Sequence, residues 1–340
     1  MEESFQELWS RIIILNERVW ENRINKQKIE AWLNNFDGKV TDSDVEKLHA
    51  LYWLSQFMYF GGREIRVLLR SLYRDLFLCP LIQKIKVQHG EIDSDALERL
   101  VEAELKNTRF VGVGNPSESG VHLLYYFRQE NNLSKMQFID AVQIFSRSSS
   151  IKISILKKIK DVFSFNFHPS RFNLSLRYPE VKRYVFLDDI CGSGETATTY
   201  SKEILGQLKK LNPNIEVAYY SLFATEKAIE NVKNTLYGDN VGAVYELDKT
   251  YRCLDSESRY LQNVPSYIDP DIARRIAIEY GQILHPGYAS GYKDSQMLMG
   301  FHHNTPDNTL GIMWCDQDCG ADVPWQAIFK RYPKIYGAES

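Results

Sequence analysis

The decisive stretch of the chain is Tyr184-Val185-Phe186-Leu187-Asp188-Asp189-Ile190-Cys191-Gly192-Ser193-Gly194-Glu195-Thr196. Its pattern predicts an apolar strand, followed by two adjacent acids and a small-residue loop that opens a helix. The two glycines let the backbone approach an anion closely, and the amides of a helix start, together with the Ser193 and Thr196 hydroxyls, donate to phosphate oxygens. Asp188 and Asp189 disfavour phosphate but accept hydrogen bonds from the vicinal hydroxyls of a ribose. This order suits a sugar with a phosphate on its far carbon.

Strands and helices alternate from about residue 91 onward. A predicted helix leads into the strand Phe110-Val111-Gly112-Val113, and the turn from Gly114 to Gly120 opens the next helix. Further strands are predicted at 215–223 and 241–247. This alternation predicts an α/β domain with a mostly parallel sheet flanked by helices, and with both loops at one sheet edge. Residues 146–183 have few clear periodicities.

Residues 1 to about 90 are predicted to be helical throughout. Ser43, followed three positions later by Glu46, predicts a capping box at the start of one helix. We therefore expect two parts: a helical N-terminal region at 1–90, serving as a docking module, and an α/β domain at 91–340 whose residues 285–340 form a C-terminal hood.

Composition excludes several classes of protein. With 41 basic and 44 acidic residues the formal charge is −3, which provides no footprint for indiscriminate binding to nucleic acid or anionic membrane. No apolar stretch approaches the roughly 18 residues of a membrane span, and the acidic start does not resemble a secretory signal, so we expect a cytoplasmic protein without membrane contact. Five cysteines without paired motifs argue against disulfides and structural zinc. Cys315 and Cys319 are either two metal ligands or, more simply, two reduced thiols.

The decisive stretch resembles the ribose-phosphate signature of type I phosphoribosyltransferases, in which hydrophobic residues precede two acids and a small-residue nest. The nest here is Ser193-Gly194-Glu195-Thr196. The resemblance implies that Asp188 and Asp189 bind ribose hydroxyls, directly or through magnesium-bound water, as the catalytic acids. It also implies that residues 192–196, called the phosphate nest below, hold the 5-phosphate of phosphoribosyl pyrophosphate or of a nucleotide.

The same resemblance assigns two further segments by their order in the chain. It implies that the first loop binds pyrophosphate and that residues from 146–183 form a flexible loop that closes over the site. The first-loop residues are Asn115, Pro116, Ser117, Glu118 and Ser119. Turn chemistry before a helix is the simpler alternative for this loop, and a ligand-free strand-to-helix turn is the alternative for the phosphate nest.

The segments outside the α/β core resemble phosphoribosyltransferase-like effectors of bacterial antiviral loci, including retron operons. The resemblance is carried by Tyr59 to Glu64, Gly291 to Gln296 and the run from His302 to Thr309. It implies a toxin that transfers or cleaves at ribose C1, with protein partners from the same defence operon and a nucleic-acid-containing complex among them. His302, His303 and Asn304 are candidates for nucleobase or hood contacts, although histidines are more often ordinary surface or core residues.

The chain also departs from the enzyme pattern. Gly192 stands where purine-salvage relatives often carry an acid that contacts the nucleobase, and Glu195 puts a negative side chain in the phosphate nest. Such a side chain is tolerable only if it points outward while its amide faces the ligand. Catalysis therefore stays open, and the alternative is a catalytically silent nucleotide-binding sensor or assembly subunit.

An arginine face on a helix of the N-terminal region supports a third hypothesis. Arg63, Arg66, Arg70 and Arg74 follow one another at helical spacing. They either bind phosphate, an acidic partner or nucleic acid, or form a solvated face with nearby acids. The small net charge makes a nucleic-acid adaptor the least favoured function.

Overall fold

The structure is a computed structural model that describes residues 2–114, 119–148, 173–316 and 324–332. The helices are, in chain order, α1 (Glu2–Arg18), α2 (Lys26–Leu33), α3 (Ser43–Ser55), α4 (Gly62–Ser71), α5 (Cys79–His89), α6 (Ser94–Lys106), α7 (Ser119–Glu130), α8 (Glu195–Tyr200), α9 (Gly206–Leu211), α10 (Glu226–Lys233), α11 (Pro270–Leu284) and α12 (Gly311–Trp314). The strands are β1 (Met58–Phe60), β2 (Thr108–Gly112), β3 (Phe138–Ile139), β4 (Phe145–Ser148), β5 (Asn173–Leu176), β6 (Arg183–Cys191), β7 (Glu216–Thr225), β8 (Val241–Leu247) and β9 (Met299–Phe301). All helices in these ranges are too short or too polar to cross a membrane.

A five-stranded sheet with the order β3-β2-β6-β7-β8 forms the centre of the α/β fold. The pairs β2–β3, β2–β6 and β6–β7 are all parallel, which confirms the predicted mixed α/β class with a mostly parallel sheet. After β2 the chain passes through α7 to β3, which lies on one side of β2 in the strand order. After β6 it passes through α8 and α9 to β7, which lies in the opposite direction. The carboxyl ends of β2 and β6 therefore form a topological switch point, where open α/β sheets bind ligands.

The chain divides into two compact units. Unit 1 consists of residues 1–65 with 247–340, and unit 2 consists of residues 66–246. This division differs from the one expected at residue 90, because α5 and the part of α4 from Arg66 onward belong to the α/β unit, while the C-terminal segment belongs with the first helices. The physical reason is the packing of apolar side chains, which no local sequence pattern reports.

Unit 1 has a core of buried tryptophans, to which both the first helices and the C-terminal segment contribute. Trp32 and Trp53 are fully buried, and their indole N–H groups donate to the carbonyls of Ile312 and Ala273 at 2.9 Å. The predicted helix from residue 43 is present, but Asp42 is its N-cap. The prediction of a capping box was wrong, because the buried Glu46 carboxylate accepts instead from the amides of residues 38, 40 and 41.

Unit 2 has its apolar core between β6, β7 and the helices α8 to α10. Tyr184 and Phe186 of β6 and Tyr219 of β7 alternate toward this core, as expected for a strand. The predicted strand 184–187 proved too short: β6 extends to Cys191, so the acidic pair lies inside the strand. In the poorly patterned segment 146–183, β4 and β5 pair as antiparallel strands, and residues 149–172 between them lie outside the described residues.

Candidate ribose-phosphate site

The two candidate loops emerge at the same edge of the sheet, as the sequence predicted. Val111 of β2 is in register with Phe186 of β6, and Gly112 is in register with Leu187. The strand β2 ends at Gly112, whereas β6 continues through the acidic pair to Cys191. Parallel pairing places the start of the first loop beside the acidic pair, because the carboxyl ends of both strands lie at this edge.

Asp188 and Asp189 are both buried at the end of β6. Asp188 is 9% exposed and Asp189 is 6% exposed. Although they are successive residues of one strand, the two carboxyls lie close enough to interact with each other. The Asp188 Oδ1 accepts from the amide of Asp189 at 2.9 Å, and its Oδ2 accepts from the Tyr219 hydroxyl at 2.8 Å. The Asp189 Oδ1 accepts from the amide of Ile190 at 2.9 Å.

Burial raises the pKa values of three side chains near the end of β6. Burial and the neighbouring Asp189 carboxyl raise the pKa of Asp188 well above its usual range, while the hydrogen bond from Tyr219 opposes that rise. Burial likewise raises the pKa of Tyr219 and raises that of Cys191 to about 12. The tyrosine therefore stays a hydrogen-bond donor at neutral pH, and the cysteine stays a thiol rather than a nucleophile. A buried acid with a raised pKa favours positively charged or hydrogen-donating ligands.

The phosphate nest is a tight turn between β6 and α8. Gly194 adopts the left-handed conformation with φ of 79° and serves as the N-cap of α8. A Cβ at this position would lie 3.1 Å from the carbonyl oxygen of Ala228 and 3.1 Å from the Val232 Cγ2. A glycine is therefore required at this position for two reasons, the left-handed backbone conformation and the close approach of α10.

Two side chains, one at the end of β7 and one on α10, bind the backbone carbonyls of the phosphate nest. The Thr225 hydroxyl donates to the carbonyl of Gly192 at 2.7 Å, and the Asn231 amide donates to the carbonyl of Ser193 at 3.1 Å. With these carbonyls engaged on the protein side, the nest is held in a defined conformation. Glu195 and Thr196 are exposed, so Glu195 meets the condition that its side chain points outward. The amide of Glu195 donates to the Ser193 hydroxyl at 3.4 Å.

Tyr200 of α8 connects the nest helix to the first loop. Its hydroxyl donates to the carbonyl of Gly114 at 2.7 Å and accepts from the amide of Gly114 at 3.0 Å. Gly114 has a φ of 103°, which glycine adopts without strain. Residues Asn115, Pro116, Ser117 and Glu118 lie outside the described residues, and Ser119 begins α7. Their assignment to pyrophosphate stays a prediction.

Sequence reasoning missed the four supporting residues Tyr219, Thr225, Asn231 and Tyr200. Each of them lies after Thr196 in the chain and contacts an earlier residue through its side chain. Thr225 carried a local signal, because it caps α10 by accepting from the amide of Ala228 at 3.0 Å. The other three carried none, since their partners are set by strand order and helix packing.

The candidate nucleobase contacts belong to the other unit. His302, His303 and Asn304 follow β9 in unit 1, whereas the acidic pair and the phosphate nest lie in unit 2. The amide of His302 donates to the carbonyl of Phe60 at 3.0 Å, and the His303 ring stacks on Phe301 with centroids 5.3 Å apart. The Asn304 Oδ1 accepts from the amide of Tyr332 at 2.9 Å. These contacts give all three residues a structural role within unit 1.

The arginine face is largely engaged within the protein. Arg66 pairs with Glu130 of α7 at 2.6 Å and lies over the Tyr126 ring at 4.3 Å. Arg70 approaches the same carboxylate at 3.7 Å, and Arg74 pairs with Asp75. Of the two interpretations of the arginine face, the helix face with nearby acids therefore describes these three side chains.

No group of three or more histidine, cysteine, aspartate or glutamate side chains converges as a metal site within the described residues. Cys315 is buried, and Cys319 lies outside them. The two acids of β6 nevertheless fit a magnesium ion that arrives with a phosphorylated substrate, because such ions take one or two carboxylates and several waters. Asp188 and Asp189 would hold it through water.

A parallel sheet with an acidic pair and a phosphate nest at its switch point defines a phosphoribosyltransferase-type fold. The chain belongs to the PRTase-CE family, whose model matches residues 29–331. Membership of this family supports a phosphoribosyltransferase-type, nucleotide-related function. No curated protein matches the chain in sequence.

Two solved structures are similar to the chain at low identity. The xanthine-guanine-hypoxanthine phosphoribosyltransferase of Helicobacter pylori is 11% identical, with 56% of this chain and 89% of that chain covered and a TM-score of 0.25. The protein AQ2163 of Aquifex aeolicus is 12% identical, with 66% and 86% covered and a TM-score of 0.28.

Proposed function

We propose that residues 188–196 bind a phosphorylated ribose, namely phosphoribosyl pyrophosphate or a nucleotide, together with magnesium. The observation that carries this proposal is the continuity of β6, in which the buried acidic pair is followed at once by a glycine turn and a helix start. The acids accept from the vicinal hydroxyls, and the amides and hydroxyls of the nest donate to the 5-phosphate.

The arrangement supports chemistry at ribose C1. A ligand held by its vicinal hydroxyls and by its 5-phosphate is fixed at two separate points, so the position of its C1 is fixed as well. Such a site acts mainly by positioning and by electrostatic stabilisation as the bond to the leaving group breaks. Magnesium, when bound, neutralises charge on the pyrophosphate.

The proposed biological role is that of an effector in a bacterial antiviral system, and it rests on the resemblance of the outer segments to such effectors. In that role the protein transfers or hydrolyses at C1 and is controlled by protein partners from the same operon, alone or in a nucleic-acid-containing complex. The second candidate is a silent nucleotide sensor, which the departures at Gly192 and Glu195 favour. Release of pyrophosphate with candidate acceptors supports the effector, and binding without turnover supports the sensor.

Calorimetry with magnesium and phosphoribosyl pyrophosphate tests the binding itself. The double variant Asp188→Asn/Asp189→Asn should lose about 1.5 to 3 kcal/mol for each hydrogen bond to a charged group, which is roughly a tenfold to hundredfold loss of affinity. Asp239→Asn is the matched control, because it neutralises an exposed acid of the same unit. Equal affinity of the folded double variant and of the control would reject the site.

A further inference from the structure

Tyr219 connects the core of unit 2 to the acidic pair. It lies on β7 in register with Phe186 of β6, while Asp188 is in register with Ser221. The Tyr219 side chain shares a face with Asp188, and its hydroxyl extends along the strand to reach the carboxyl at 2.8 Å. Tyr219 is therefore two positions before the residue that pairs with Asp188, and its long side chain spans this distance.

The tyrosine itself is firmly held. It is 1% exposed, its amide donates to the carbonyl of Asn240 at 2.9 Å, and its ring lies 5.5 Å from the ring of Tyr237. The Tyr237 ring packs in turn against Phe186 at 5.6 Å. A buried hydroxyl fixed in this way has few alternative directions, so it orients whatever accepts from it.

Asp188 is therefore held at both oxygens, by Tyr219 at Oδ2 and by the amide of Asp189 at Oδ1. A carboxyl group offers about four lone-pair sites, and Tyr219, the amide of Asp189 and the neighbouring Asp189 side chain together engage three of them at most, so an acceptor site remains for a ligand. Holding both oxygens stops rotation of the carboxyl plane and gives the remaining lone pairs fixed directions. Fixed acceptors discriminate strongly against a ligand that lacks the matching hydroxyl.

We propose that Tyr219 is a specificity-determining positioning residue, which holds Asp188 so that the site prefers ribose 5-phosphate to 2-deoxyribose 5-phosphate. This inference rests on the proposed function of residues 188–196. Tyr219 acts through Asp188 and does not touch the ligand. Its contribution is therefore confined to ligands whose hydroxyl Asp188 accepts from, and a ligand without the 2-hydroxyl gains nothing from it.

The test compares the affinities of the two sugar phosphates for the full chain by calorimetry. The wild type should bind ribose 5-phosphate more tightly than 2-deoxyribose 5-phosphate. Tyr219→Phe should lose roughly tenfold for ribose 5-phosphate, as expected for one hydrogen bond to a charged group, and should keep its affinity for the deoxy sugar within about twofold. An equal loss for both sugars would mean that Tyr219 is merely structural and would overturn the inference, as would an unchanged preference.

Tyr237→Phe is the matched control. Its hydroxyl is also buried but has no hydrogen-bond partner among the described residues, so the variant removes the same atom without touching Asp188. The preference for ribose should survive in it, and its loss there would overturn the inference. A wild type that binds neither sugar would reject the proposed function instead, an outcome visible before any variant is measured.

Asp188→Asn keeps the inference testable if Tyr219→Phe does not fold. This variant leaves the tyrosine in place and removes the charged acceptor, so the preference for ribose should fall as it does in Tyr219→Phe. A preference equal to that of the wild type would overturn the inference. Where both variants fold, adding Tyr219→Phe to Asp188→Asn should cause no further loss, because the two act through one contact.

Discussion

At the scale of single residues, Asp188 links stability to pH. Its folded pKa is raised above the unfolded value of about 3.9, so the proton is bound more tightly in the folded state. The resulting stability is fully present below that value and is lost as pH rises through the folded pKa. Removing the charge should therefore stabilise the protein most at alkaline pH.

Asp188→Asn tests this linkage by chemical denaturation across pH. At about pH 8 the variant should be more stable than the wild type, because it no longer carries a buried charge whose formation the folded state disfavours. The difference should shrink as pH falls toward about 4. The exposed-acid control Asp239→Asn should follow the wild type throughout. A difference that does not change with pH would contradict the assigned cause.

Gly194 provides a second prediction at this scale. Gly194→Ala should cost about 1 to 2 kcal/mol for the left-handed backbone and a further cost for the contact of its Cβ with α10. Gly238→Ala is the matched control, because Gly238 has a φ of 58° and a Cβ added there would meet nothing within 4 Å. Thermal unfolding should rank Gly194→Ala as clearly less stable. Equal losses would show that the close approach to α10 does not matter.

At the scale of elements, Arg66 and Arg70 of α4 join α7 through one carboxylate. Glu130 is mostly buried, with 18% of its side chain exposed, so reversing the charge of Arg66 leaves two acids in contact. Arg66→Glu should destabilise the protein by about 1 kcal/mol or more, and Glu130→Arg added to it should recover part of the loss.

Arg63→Glu is the control for that exchange, because Arg63 is exposed and only its backbone amide bonds to Glu21. Denaturation of the single variants and of the charge-swapped pair checks the coupling. If Arg66→Glu is no less stable than Arg63→Glu, the pair with Glu130 contributes nothing.

At the scale of the whole molecule, the helices near the amino end do not have a core of their own. The cluster around Trp32 and Trp53 includes residues from 253 to 329, and both indoles donate to carbonyls of that segment. A fragment of residues 1–90 should therefore lack cooperative thermal unfolding, and its tryptophan emission should be shifted to the red relative to the full chain. A cooperative transition with buried tryptophans in the fragment would contradict this dependence on the C-terminal segment.

The sequence alone determined the class of fold and the position of the candidate ribose-phosphate site. Period-two strands, helical periodicity and glycine turns are local properties, so alternation after residue 91 and the run from Tyr184 to Thr196 could be interpreted without coordinates. The strand bounds were not determined: the predicted strand ended at Leu187, whereas β6 contains the acidic pair.

Only the tertiary structure decided what surrounds that site and how the chain is divided. Tyr219, Tyr200, Thr225 and Asn231 are polar side chains of ordinary pattern whose partners lie up to 86 positions away in the chain. The grouping of residues 247–340 with the first helices also depends on side chains far apart in sequence. Local patterns record which face of an element is apolar, whereas strand order and packing choose its partner, so these contacts could not be predicted from the sequence.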